Sequence, residues 1–528
     1  MEESQPNLQD KVIAFLTKNT NLVLIVILLL AIFLRFKYLN INSAIWWDEG
    51  EYLSAAKEWA FGIDYYILPV RQPLISFIIS IFYRLGIESL AIIKFFTVFL
   101  PSVASVFFTY LLGKEIYSKK VGLISSFMMA VFWVPLFWST RISTDLMGLF
   151  LSLLAFWAFW KGYIKQEKPK IYLAIAGIAL ALGFSTRVGN ILTILILGAF
   201  LLVVARLDLI KKNPLRFLIY FSIAAIIPYL IYNQVRFGNI FAFWGLYFGT
   251  VSYVTKESIP FFWGFFKFFK IYLHNIFYIF FIIGLLSFYK LILGFDLLIK
   301  NKDKKLLADF LTLLTILIPT IYFTFIQRQT STEPRWALVM APAVFFVTAK
   351  GFMLVYRQII KYLPEFNYKK LISIAAIVIL IIIAAVPQIQ HADGLIKNKK
   401  DTYVQLKFAG EFIKENSNKG DIVFSSAVPQ NSYYSERKTI SVHGAEDKFN
   451  RDIAELKPKF LEITVLEGYP DWAWSWPARN QDLVVPVQAF FADEAQTQPI
   501  LVLYQFIDYP SQETDTVTEM DSNIEEGQ

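Results

Sequence analysis

The feature that most constrains this chain is a recurrence of apolar runs, each near twenty residues long, between residues 20 and 388. A bilayer core about 30 Å thick is crossed by about 20 helical residues, so each run is one crossing long. Inside lipid every backbone polar group needs a partner within its own segment, which predicts helices. The runs fall near 20–39, 89–113, 121–140, 144–162, 171–186, 188–206, 216–235, 267–289, 306–326, 336–356 and 371–388, about eleven in all. Composition agrees, because 56% hydrophobic and only 17% charged residues leave too little polar surface for a water-soluble chain. The expected fold is a polytopic α-helical membrane protein.

A net charge of +8 does not imply nucleic-acid binding, because the basic residues cluster between the runs. Lys114/Lys119/Lys120, Lys161/Lys165/Lys168/Lys170, Arg206/Lys211/Lys212/Arg216, Lys300/Lys302/Lys304/Lys305 and Arg357/Lys361/Lys369/Lys370 occupy every second connection. Basic loops stay cytoplasmic, which puts the N-terminus inside and everything beyond about residue 388 outside, in a multi-pass protein of the cell membrane. The run 171–186 is short and ends at Arg187, so a tilted or a re-entrant segment fits it equally.

The organisation expected is a membrane domain over residues 1–388, an extracytoplasmic α/β domain over 389–508 and an acidic, disordered tail over 509–528. The α/β reading rests on a helical segment at 401–416 and strand-like pieces at 421–425, 460–465 and 499–504. The external loop 40–88 is too polar to cross, and its helical patterning predicts interfacial helices lying on the membrane. The chain has no cysteine, which excludes disulfides and thiolate metal sites. Its three histidines, His274, His391 and His443, are far apart in sequence and argue against a histidine-built metal centre.

Charges at the ends of the runs carry the chemistry. Asp48, Glu49, Arg71, Arg141, Asp145, Arg187, Glu333 and Arg335 all fall on the outer side of this topology. Each also has a simple structural reading. Asp48 and Glu49 suit a helix amino terminus, Arg141 and Asp145 stand four apart like a helical ion pair, and arginines at span ends can reach headgroups. The tryptophans, such as Trp46, Trp47, Trp59, Trp133 and Trp138, suit an interfacial belt. Together, carboxylates suited to acid–base work and guanidiniums suited to phosphate describe a site for a charged, lipid-borne substrate.

In order along the chain, these residues resemble the GT-C superfamily of polyprenyl-phosphate-sugar glycosyltransferases, in particular the protein O-mannosyltransferases and the bacterial lipid A aminoarabinose transferases. The matching pieces are Trp47-Asp48-Glu49-Gly50-Glu51-Tyr52, Arg71-Gln72-Pro73-Leu74, Arg141-Ile-Ser-Thr-Asp145, Gly183-Phe-Ser-Thr-Arg187 and Glu333-Pro-Arg335-Trp336 running to Pro342. Arg71 and Arg187 stand where lysine or histidine is usual in the family, and Trp336 where tyrosine is usual, so phosphate binding carries over but the donor sugar does not. The segment Trp472-Ala-Trp474-Ser-Trp476 lacks the aspartate of the oligosaccharyltransferase motif, so transfer of a whole oligosaccharide is not implied.

The resemblance implies sugar transfer, with inversion, from a polyprenyl-phosphate donor to a protein, lipid or glycan acceptor on the extracytoplasmic face. Asp48 would be the general base with Glu49 in support, and Arg71, Arg187 and Arg335 would bind the donor phosphate. Asp145, Arg141, Tyr52 and Glu333 would serve the acceptor side. Some members hold a divalent cation and others do not, which leaves a cation on Asp48, Glu49 or Asp145 open. The alternatives are a flippase for lipid-linked sugars and a non-catalytic partner in cell-envelope assembly.

Overall fold

The computed structural model describes residues 18–206, 212–244, 261–294, 303–326, 333–366, 368–492 and 495–509. The acidic tail beyond residue 509 and the basic positions 211, 300 and 302 lie outside them. The chain forms two compact units, one of Met1–Ser43 with Tyr66–Thr402 and one of Ala44–Tyr65 with Tyr403–Gln528.

The first unit is an α-helical membrane domain. Among the described residues eight helices are long and apolar enough to cross a bilayer, beginning with Leu90–Ile116 and ending in the helix that starts at Lys369. The eleven predicted runs all become helical, and the other three are shorter or broken within the described residues. Thr20–Phe36 and Val188–Val204 are shorter apolar helices, and the run 121–140 breaks into Lys119–Val131 and Trp133–Trp138. Pro135 causes the break. It has no N–H to give Val131 and its ring opposes that carbonyl, so the first helix stops there and Phe132 turns extended at ψ 124°.

The carbonyls freed at this break are met by one buried cation. Arg35, fully buried, donates through Nη1 to Ala130 O at 2.9 Å, through Nη2 to Met129 O at 3.2 Å and through Nε to Ser102 Oγ at 2.6 Å. Arg35→Met should therefore leave buried acceptors unmet and cost roughly 1–3 kcal/mol for each, read as a lower thermal midpoint of the detergent-solubilised protein. A second charge inside the unit, the buried carboxylate of Asp309, pairs with half-buried Lys350 at 2.5 Å, and its Oδ1 also accepts from Tyr117 OH at 2.9 Å. The last helix of the unit, Lys369–Lys399, runs eleven residues past the apolar stretch that ends at 388.

The second unit is an α/β domain. Strands β1 (Ile422–Phe424), β2 (Lys438–Ile440), β3 (Phe460–Thr464), β4 (Val484–Phe491) and β5 (Pro499–Phe506) form one sheet in the order β2-β1-β3-β5-β4. Strand β1 is parallel to both neighbours, while β5 is antiparallel to β3 and β4. Alternation along the strands divides two cores. Phe424 and Leu461 pack with Phe449 and Trp476, and Val423 and Phe460 pack with Leu406 and Ile413 of helix Val404–Glu415. The tryptophan-rich segment is the helix Asp471–Arg479, and Trp476 is core. Strand β4 is hidden in the sequence by Pro486, which is tolerated because β4 is an edge.

The second unit also contains the helix Trp47–Phe61, drawn from the loop between the first two apolar runs. Within the unit it packs on the helix Val428–Ser435: Ser54 Oγ donates to Pro429 O at 3.0 Å, and Lys57 Nζ pairs with Glu436 at 2.7 Å.

Candidate active site

The acidic motif opens the helix Trp47–Phe61, and its two carboxylates are spent differently. Glu49, the third helical residue, accepts the backbone N–H of Trp46 through Oε2 at 3.0 Å, so it caps the start of the helix from its own side. Asp48 lies in the same first turn, where the helix dipole favours a negative charge. Glu51 accepts from Trp47 Nε1 at 3.2 Å and from Tyr65 OH at 2.9 Å, which braces the motif, and Tyr52 is buried.

In the membrane unit the sequence-predicted charges gather around Asp145. Asp145 is in the first turn of the helix Thr144–Phe159, Arg187 follows the helix Pro169–Thr186 in an extended conformation, and Arg335 lies in the short 3-10 helix Pro334–Met340. Asp145 Oδ1 pairs with Arg187, and Asp145 Oδ2 lies 3.7 Å from Arg335 Nη1. Arg335 is held further by Glu333, which accepts from Nε at 2.5 Å, and its guanidinium stacks 4.1 Å from the Trp138 ring centroid. The side chain of Asp145 is only 2% exposed against 20% for Arg187 and 17% for Arg335, so a buried carboxylate holds two guanidiniums that keep some access to solvent.

Arg141 lies in the turn before the Asp145 helix rather than on it, so the two do not form a pair along one helix. Its Nη2 donates to Lys399 O at 3.1 Å and its guanidinium sits 5.3 Å from the Phe137 ring, which ties this turn to the last helix of the unit. Arg71 stands in the turn before the helix Leu74–Arg84, its backbone N–H on Leu68 O. Asp48, Glu49 and Tyr52 belong to the other unit.

Asn190 escaped the sequence reading and sets the spacing of the arginine cluster. Its Nδ2 donates to Gly148 O at 2.9 Å, and a Cβ on Gly148 would meet Asn190 Oδ1 at 2.9 Å while one on Gly183 would meet its Nδ2 at 2.9 Å. Both glycines are open so that the amide can wedge between the helices that carry Asp145 and Arg187. A glycine four residues before an arginine and an asparagine three after it was the available signal.

Of the three carboxylates on which a cation was left open, Asp145 and Glu49 are already engaged. Both Asp145 oxygens face guanidiniums and Glu49 is engaged by a backbone N–H, and the described residues include no group of three or more histidine, aspartate or glutamate side chains with ligand spacing. Arg187 and Arg335 bring two guanidiniums, donors of the kind that suit a phosphate, against the carboxylates of Asp145 and Glu333.

Residues 69–232 match the family model described as dolichyl-phosphate-mannose-protein mannosyltransferase, about a third of the chain. No curated protein sequence matches. Among solved structures, ArnT from Cupriavidus metallidurans in the apo state superposes with a TM-score of 0.62 at 9% identity, over 91% of this chain and 97% of that one. The same enzyme bound to undecaprenyl phosphate gives 0.59 at 10% identity, over 91% and 97%. The archaeal oligosaccharyltransferase AglB from Archaeoglobus fulgidus, in complex with an inhibitory peptide and a dolichol-phosphate, gives 0.57 at 14% identity, over 85% of this chain and 70% of that one. At these identities the likeness is one of fold.

Proposed function

We propose that this chain, whose fold is that of the GT-C superfamily of membrane glycosyltransferases, transfers a single sugar from a polyprenyl-phosphate donor to a hydroxyl or amine acceptor on the extracytoplasmic face. The observation that carries the reading is the pair of partly exposed arginines, Arg187 and Arg335, braced by the buried carboxylate of Asp145. Preorganised guanidiniums of this kind stabilise negative charge that grows on a departing phosphate without having to reorganise.

A sugar on a polyprenyl phosphate already has a good leaving group, so the demand falls on the nucleophile. Asp48 takes the acceptor proton as the acceptor oxygen or nitrogen attacks the anomeric carbon, and the bond to the phosphate oxygen breaks with inversion. Arg187 and Arg335 receive the released lipid phosphate, with Arg71 as a third cation for it. Glu49 holds the turn that presents Asp48, while Arg141, Glu333 and Tyr52 hold the frame. Asp145 orients the arginines rather than the acceptor.

The test is transfer by the purified, lipid-reconstituted protein from a polyprenyl-phosphate sugar labelled in the sugar. Labelled acceptor together with free lipid phosphate is the expected result. Movement of the labelled lipid across the bilayer without release of lipid phosphate would instead identify a flippase.

A further inference from the structure

The α/β unit contains a carboxylate that the chemistry above does not use. Glu462, in the middle of β3, is fully buried. Its Oε1 accepts from Ser425 Oγ at 2.5 Å and its Oε2 from Asn431 Nδ2 at 3.0 Å. Asn431 belongs to the helix Val428–Ser435, and Ser425 Oγ also accepts the backbone N–H of Ala427, where the chain turns into that helix. Next to it, Gln430 Nε2 donates to Glu467 Oε1 at 3.1 Å. One short helix is thus pinned by two glutamates, Glu462 in the sheet and Glu467 in the segment after β3.

That helix is also the seat of the acidic motif. A Cβ on Gly50 would stand 2.8 Å from the Pro429 carbonyl carbon and 3.0 Å from Gln430 N, so the two helices meet backbone to backbone, two residues from Asp48. Ser54 and Lys57 bond to the same helix farther along, and Ile45 N donates to Tyr434 OH at 2.8 Å before the motif begins. The direction of Asp48 is therefore set by the helix Val428–Ser435, and the seating of that helix is set by Glu462.

We propose that Glu462 is a positioning residue for Asp48, and that its charge state tunes the reaction by seating or loosening the helix Val428–Ser435. This rests on the transfer reading above. The groups that face its side chain are Ser425 from the end of β1, Asn431 from the helix and Glu467 from the segment after β3, and β5 opposes it with Leu503. The Tyr469 hydroxyl donates to the Glu462 main-chain oxygen at 2.8 Å.

Burial pushes the Glu462 carboxyl up to about 7, with the Ser425 and Asn431 hydrogen bonds opposing and Glu467 adding to the rise. The sign follows from linkage. The folded unit holds this proton more tightly than the unfolded chain, so its stability is highest below the unfolded value of about 4.5 and falls as pH rises toward about 7. Ionisation places an unsolvated charge in a buried joint beside a second carboxyl, Glu467, a cost that the Ser425 and Asn431 hydrogen bonds only partly offset, and this loosens the seat of the motif helix.

The full-length protein in lipid is compared with Glu462→Gln, which keeps the shape and the neutral charge of the protonated acid. Hydrogen exchange, corrected for the intrinsic rate, should quicken in the helices 428–435 and 47–61 of the parent between pH 6 and pH 8 and stay level in the variant. The parent's kcat for transfer should fall up to about tenfold over the same interval, with the donor KM within about twofold, and the fall should vanish in Glu462→Gln. A merely structural glutamate would lower activity alike at every pH. Exchange in helix 47–61 that ignores pH in the parent, or follows it equally in the variant, overturns the proposal whether or not sugar is transferred. A kcat profile unchanged by Glu462→Gln in an active parent also overturns it. Pronounced exchange changes in a parent that never releases lipid phosphate would overturn the transfer reading instead, leaving the joint intact.

Discussion

Asp48→Asn should lower the rate of lipid-phosphate release by about 10²–10⁴-fold while leaving the protein folded, because a positioned general base contributes about that much. Asparagine has nearly the shape of aspartate and gives up only the roughly 0.3–1 kcal/mol that the charge gains from the helix dipole, so the variant keeps the first turn of the helix Trp47–Phe61 and isolates the chemistry from the fold. Glu49→Gln is the informative contrast. Glutamine can still accept the Trp46 N–H that Glu49 now accepts at 3.0 Å, so this change should cost less than about tenfold. Measured side by side in reconstituted protein, equal losses for the two variants would refute the assignment of the base to Asp48 alone. Retained release in Asp48→Asn would remove Asp48 from the mechanism.

Arg187→Ala should lower kcat/KM by about 10²–10³-fold, the cost of deleting one preorganised donor to a developing anion. Arg187→Lys should recover only part of this, since an ammonium keeps the charge but not the planar fork. Asp145 supplies the sharper test, because it acts through its two partners. Asp145→Asn leaves Arg187 and Arg335 without the carboxylate that aims them, and should raise the donor KM about tenfold. If Asp145 works only by orienting Arg187, the double variant Arg187→Ala/Asp145→Asn should be little worse than Arg187→Ala, and strict additivity would separate the two residues. Asp145→Leu should be far harsher, since breaking a buried pair from one side costs about 3–5 kcal/mol, visible as lost thermal stability.

The membrane architecture and most of the charged positions were legible in the sequence because lipid imposes a simple rule. A crossing needs a set length of apolar residues, and ionisable groups are costly unless they sit at the ends or find partners. Arg141, Asp145, Arg187 and Arg335 stood out for that reason, and Asp145, Arg187 and Arg335 do come together. The same rule could not count helices that stop early. Pro135 is one residue in an apolar run, yet it divides that run because a helix interior has no place for it.

By itself the sequence determined that the chain is a polytopic helical membrane protein with a small α/β region near its carboxy terminus, and which charged residues had to be explained. Only the tertiary structure decided how those residues are used. Glu49 as a cap, Asp145 as a brace behind two arginines, and Asn190 as a wedge between Gly148 and Gly183 are contacts between residues far apart in the chain, or choices of one partner among several. The acidic motif shows the difference most clearly. Its local pattern predicted an amphipathic helix, and the structure packs that helix, within the carboxy-terminal unit, against a helix 375 residues later in the chain. Helical periodicity says that one face must be covered, but not what covers it, and here the cover is chosen by a glycine that lets two backbones meet.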